Sequence, residues 1–240
     1  MGNLKHREDI NSGHYSLKMI IYKNLVILGT SHISIQSIKE VKSYLDKNAP
    51  KIVALELDKD RFIALTNKNQ RASSIEILKE LGPGAFLINK IGQKVEKELG
   101  KLVGVTPGAE MLEAIKICKE KNINIALIDQ NIRITLKKLS KVPLKEKLKL
   151  ILDIFTSPLS SKNKVKIDLR KVPEQSFIIE VINKVKERYP SIYKVLIEER
   201  NKILAKNLYN LNLNNNEGIF VIVGAGHIDG LVEELKKMGY

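Results

Sequence analysis

The sequence predicts an α/β fold: a mainly parallel central sheet with flanking helices and a helical insertion. Three observations carry this. Four runs, "NLVILG" (24–29), "KIVALEL" (51–57), "NIALID" (124–129) and "GIFVIVG" (218–224), are almost continuously apolar, as expected of strands covered on both faces. Amphipathic helical patterns separate them, and alternation of strand with helix is the signature of a parallel sheet. The stretch 137–190 has helical periodicity and no strand signal, so it reads as an insertion into the sheet domain.

In chain order, residues 1–18 are polar and mixed in charge, with no apolar segment of a secretory signal. They read as a flexible tail ahead of one domain spanning 19–240. After the first run, Ser34 is placed to cap a helix reaching about Lys47, with Pro50 beyond its end. "SSIEILKEL" opens another helix, closed by Gly82-Pro83-Gly84. Pro107 starts the helix "GAEMLEAIKICKEK". Two helices fill 131–156, and a Ser/Pro/Lys-rich linker follows at 157–173. "EQSFIIEVINKVKER" is helical up to Pro190, and a long helix then runs from Ser191 to about Asn212.

Composition narrows the class. With 240 residues and 43% hydrophobic content, the chain can build one large core. No apolar run approaches the roughly 20 residues of a spanning helix. The one cysteine, Cys118, rules out an intramolecular disulfide and suits a reducing compartment; a cytoplasmic location is expected. The net charge of +14 is concentrated between Lys137 and Lys171, where 11 Lys/Arg face 3 acids. The basic residues there are not regularly interleaved with aromatics, so base stacking on nucleic acid is not expected. The basic stretch reads as a solvated surface.

The candidate site follows from where the strands end. In an open α/β sheet, ligands bind beyond the carboxyl ends of the strands. His32 in "LGTSHIS" and His227 in "VGAGHID" each sit just past such an end, each behind a Gly-x-x spacing, with Ser34 and Asp229 placed to cap the next helix. Glu56 and Asp58 end the second strand, and Asp129 ends the third with Arg133 one turn further on. Glu110 lies in the first turn of the helix after Pro107-Gly108, where the helix dipole favours a carboxylate. On the long helix, projection at roughly 100° per residue gathers Ile192, Leu196, Ile203, Leu204, Leu208 and Leu211 on one face, with Lys194, Glu198, Asn201 and Lys202 opposite. Arg200 and Asn207 fall inside the apolar face and Glu199 at its edge. Buried charge demands a partner, so Glu199 and Arg200 read either as a buried brace or as groups lent to the crevice. Two histidines among carboxylates suit a divalent ion such as Zn²⁺, Mn²⁺ or Co²⁺. The sequence has no Walker A loop, GxGxxG, GxSxG or HExxH.

Taken in order, "LGTSHIS", "IVALELDKDRFIAL", "TPGAEMLEAI", "LIDQNIRITLKKL", "IEERNKILAKNL" and "IVGAGHIDGL" resemble the TraB/PrgY family, part of a wider group with the GumN and TIKI proteins. The resemblance covers about Leu25 to Leu235. It implies a fold of the erythromycin-esterase and ChaN-like kind. It also implies metal-dependent protease chemistry resting on two Gly-x-x-His motifs and a glutamate, which match His32, His227 and Glu56 here; Glu110, Arg133, Glu199 and Arg200 match motif positions of less settled role. The family's link to pheromone shutdown implies a peptide ligand. Many relatives carry membrane helices after the last motif, and this sequence stops at Tyr240, so a form without that anchor is expected.

Two readings follow. In the first, His32, His227 and one or more of Glu56, Glu110 and Glu199 hold a metal that activates water, a spare carboxylate is the base, and Arg200 or Arg133 stabilises the oxyanion. In the second, the same crevice captures a peptide, an anion or a haem-like ligand without turnover. The expected partner is a peptide or small-molecule substrate, with a homo-oligomer left open.

Overall fold

The structure is a computed structural model that describes residues 19–31, 34–67, 86, 90, 93, 106–156, 175–213 and 218–240. Its centre is the strand nearest the end of the chain. In β5 (Ile219–Gly224), Ile219, Val221 and Val223 enter one apolar cluster, while Phe220 and Ile222 enter another on the opposite face. The period of two places alternate side chains on opposite faces, and a strand apolar at every position is therefore buried on both.

The other strands are β1 (Met19–Tyr22), β2 (Leu25–Thr30), β3 (Ile52–Leu55) and β4 (Asn124–Leu127). The sheet order is β1-β2-β5-β3-β4, with β1 antiparallel to β2 and the remaining pairs parallel. One face is covered by α1 (Ile35–Lys47) and α3 (Ala109–Glu120), through Val41, Leu45, Met111, Ala114, Ile115 and Cys118. The other face is covered by α8 (Glu199–Leu213) and α9 (Ile228–Lys237), through Leu204, Leu208, Ile228, Leu231 and Leu235. The expected α/β architecture is therefore present as three layers. Between α3 and α8 lie α4 (Ile132–Ser140), α5 (Leu144–Thr156), α6 (Gln175–Arg188) and α7 (Pro190–Tyr193). They bring a satellite cluster of Leu139, Val142, Tyr189, Ile192 and Val195, in accord with the helical insertion. A further helix, α2 (Lys59–Thr66), follows β3.

Two differences from the sequence reading have physical causes. The strand β1 was not expected; "MIIY" is only four residues long, and its turn uses Lys23 at φ 52° rather than a glycine. The helix expected from 191 to 212 is interrupted by a π turn, Lys194–Glu198. A π turn packs more residues per turn than an α-helix, so a single 100° projection across it loses phase. Asn201, projected onto the polar face, is in fact buried with Leu204, Ala205 and Leu208. The N-terminal tail, the "SSIEILKEL" helix and the 157–173 linker lie outside the described residues. Among the described residues no helix is long and apolar enough to cross a membrane.

Candidate functional site

The carboxyl edge of the sheet is assembled by strand order. β5 lies between β2 and β3, with Thr30 level with Gly224 and Leu55 level with Ile222. The first residue beyond β3 is Glu56, whose N–H still donates to Ile222 O at 3.1 Å. Its side chain turns to β5: Gly224 N–H donates to Glu56 Oε2 at 2.6 Å. The turn Ala225–His227 then folds back over the end of β2. A Cβ on Gly29 would stand 2.2 Å from Ile228 Cδ1 and 3.1 Å from Ala225 Cα. The glycine in "LGTSH" is thus required by the close approach of the second Gly-x-x-His turn. The two strand ends are neighbours; His32 itself lies outside the described residues.

A guanidinium binds the strand ends together. Arg200, in the first turn of α8, donates from Nη2 to Glu56 Oε1, from Nη2 to Asp129 Oδ2 at 2.5 Å, and from Nε to Asp129 Oδ1 at 3.3 Å. Nη1 donates to Leu196 O at 3.5 Å. Both carboxylate side chains are almost fully buried, at 2% and 1% exposure. Burial pulls the Arg200 pKa down, but the charges of Glu56 and Asp129 and their hydrogen bonds outweigh it, so the group is held more firmly charged than a free arginine. Asp58 caps α2 with Oδ1, accepting from the N–H of Asp60 and Arg61, while Oδ2 accepts from Arg61 Nε at 2.7 Å. Arg61 Nη2 donates in turn to Asp129 Oδ2. Three carboxylates and two guanidiniums form one connected network.

His227 stands beside it, 5% exposed. Its Nε2 is 3.4 Å from Glu56 Oε1, and its Nδ1 is 2.7 Å from Asn201 Oδ1. The remaining expected residues spread along the same edge. Glu110 is 1% exposed in the first turn of α3; because α3 leads back to the start of β4, that turn lies at the carboxyl edge. Arg133 is 38% exposed and pairs with Asp60 at 3.4 Å. Glu199 pairs with Lys138 of α4 at 2.7 Å. Glu199 ties α8 to α4, and Arg200 faces the strand-end carboxylates.

A family model described as TraB/PrgY/gumN family matches residues 22–240. The chain belongs to the TraB/PrgY/gumN family. It is similar to Uncharacterized protein MJ1365 of Methanocaldococcus jannaschii, 36% identical over 220 residues, which cover 90% of this chain and 54% of that protein. The chain thus spans about half the length of the curated relative it matches.

Three groups at the edge of this TraB/PrgY/gumN protein were not anticipated from sequence. Arg61 had a signal, its position three residues after Asp58 in "LDKDR", which sets the two on one helical turn. Asn201 had one as well: Leu204, Ala205 and Leu208 taken alone, without the residues before the π turn, place it mid-face. The N–H of Gly224 had none, because a backbone donor leaves no trace in composition.

Proposed function

We propose that this protein is a metal-dependent hydrolase acting on a peptide-type bond at the carboxyl edge of its sheet. The observation that supports this reading is the placement of His227 Nε2 3.4 Å from Glu56 Oε1. Two donors each about 2.1 Å from one ion, at a tetrahedral angle, lie about 3.4 Å apart, so the pair fits a shared Zn²⁺, Mn²⁺ or Co²⁺. Among the described residues no third His, Cys, Asp or Glu completes the group; the reading assigns that place to His32. When bound, the ion would polarise the scissile carbonyl and ease the ionisation of water.

The chain's own groups account for the rest. Arg200 holds the Glu56 and Asp129 side chains in place, so no reorganisation is needed when charge develops nearby. Four of its five N–H groups are already engaged, which makes it a clamp on the carboxylates rather than an anion receptor. Arg61, 31% exposed, with Nη1 making no hydrogen bond among the described residues, is better placed to meet the developing oxyanion. Arg133, paired with Asp60, flanks it, and Glu110, in the first turn of α3, would serve as base.

The test is metal analysis after dialysis against Zn²⁺, Mn²⁺ or Co²⁺, followed by mass spectrometry of a peptide mixture. The wild type should retain about one ion and gain about 2.7 kcal/mol of stability at a hundredfold excess over Kd. His227→Ala should lose both effects, and Glu56→Gln should lose cleavage. If none of the three ions is retained, the metal reading fails; a loaded protein that returns every peptide intact favours ligand capture instead.

A further inference from the structure

We infer that Asn201 is a positioning residue which, with Gly230, fixes His227 as the tautomer protonated on Nδ1. The imidazole is buried, and its Nδ1 lies 2.7 Å from Asn201 Oδ1. A carboxamide oxygen can only accept, so the hydrogen must sit on Nδ1. Nε2 is then the nitrogen turned to Glu56, 3.4 Å from Oε1. A histidine that ligates a metal commonly has its second nitrogen fixed in this way by an outer acceptor. Its use as a ligand rests on the hydrolase reading; the tautomer itself does not.

The place of Gly230 is what makes the arrangement more than a chance contact. Glycine inside a helix is less stable than alanine, yet Gly230 lies inside α9. A Cβ there would stand 2.0 Å from Asn201 Nδ2 and 3.0 Å from its Cγ. The missing side chain is the space that the carboxamide occupies, and it lets the amide end rest against α9 while the oxygen end faces His227. The pattern G-H-x-x-G in "GAGHIDG" and the Asn of "EERNK" are thus two halves of one contact.

The test is long-range ¹H–¹⁵N NMR of the metal-free full chain labelled at histidine, near neutral pH, with His227 assigned by its loss in His227→Ala. The expected result is an Nδ1–H tautomer in the wild type and in Asn201→Asp, which keeps an acceptor. Asn201→Leu should shift the ring toward the Nε2–H form. Gly230→Ala should do the same while leaving the fold intact, because the obstructing atoms belong to the end of a side chain that can rotate away. Competition with a chromogenic chelator should show Zn²⁺ affinity reduced about 10- to 100-fold in both variants. An Nε2–H or doubly protonated ring in the wild type, or a tautomer unchanged in both variants, overturns the proposal. A wild type with the Nδ1–H tautomer that retains no metal leaves the positioning standing and removes the hydrolase reading alone.

Discussion

The two ends of the sheet hold buried polar groups in opposite ways. At the amino end the side chains are neutral. Tyr22 Oη donates to Tyr240 O at 3.0 Å, Tyr240 Oη donates to Asn24 Oδ1 at 2.8 Å, and Asn24 Nδ2 donates to Asn212 Oδ1 at 2.6 Å. These bonds tie the β1–β2 turn to the end of α8 and to the last residue. At the carboxyl end the same task of joining helix to strand is done by Glu56, Asp129 and Arg200, with charges desolvated on both sides. Neutral side chains suffice to close a sheet end. A buried ion network adds a desolvation cost that packing alone does not require, and replacement by apolar groups is often as stable or more so. The comparison supports the proposal that the carboxyl end is the working end, in line with the rule that α/β ligand sites lie there.

The comparison can be broken most decisively at Arg200. Arg200→Leu removes the cation that Glu56 and Asp129 share, leaving Asp129 to Arg61 alone, and should cost about 3–5 kcal/mol in denaturant unfolding. The neutral triple variant Glu56→Gln/Asp129→Asn/Arg200→Met should recover most of that loss while remaining inactive. A triple variant as unstable as the single one would mean that the charges are there for stability, and the contrast between the ends would disappear. At the amino end, Tyr22→Phe should cost only about 0.5–1.5 kcal/mol and leave metal retention untouched. A change in metal retention there would show that the ends are coupled.

The smallest effect concerns Cys118, inside the α1–α3 layer. Burial pushes its thiol up to about 11. A pKa raised on folding means that the native state binds the proton more tightly than the unfolded chain. Its contribution is therefore fully present below the ordinary thiol range and is lost as pH rises from about 9 toward about 11. Unfolding curves across that window should fall more steeply in the wild type than in Cys118→Ala, and thiol reagents at pH 8 should react only as the protein unfolds. Rapid labelling of the folded chain would place Cys118 nearer the surface than its packing against the sheet implies.

Much of this was legible in the sequence. The four parallel strands, the Ser34 cap and the helices after Gly108 and Asn131 follow from apolar periodicity and cap chemistry, which act over a few residues. Glu56, Asp129, Arg200 and His227 were legible as polar groups at strand ends or on an apolar face. Their mutual partners were not, because Arg200 reaches Glu56 across 144 positions of chain and Gly224 reaches it across 168. Asn201 was misplaced because one π turn shifts the phase of everything before it.

The sequence by itself determined the strands, the helices and which residues stand at their ends, since each depends on short-range periodicity and on backbone donors that a neighbouring side chain can satisfy. Only the tertiary structure decided that β5 inserts between β2 and β3. That insertion brings the last Gly-x-x-His turn against Gly29 and beside Glu56. Strand order is chosen by how both faces of the whole sheet are covered, and no local window of residues contains that choice.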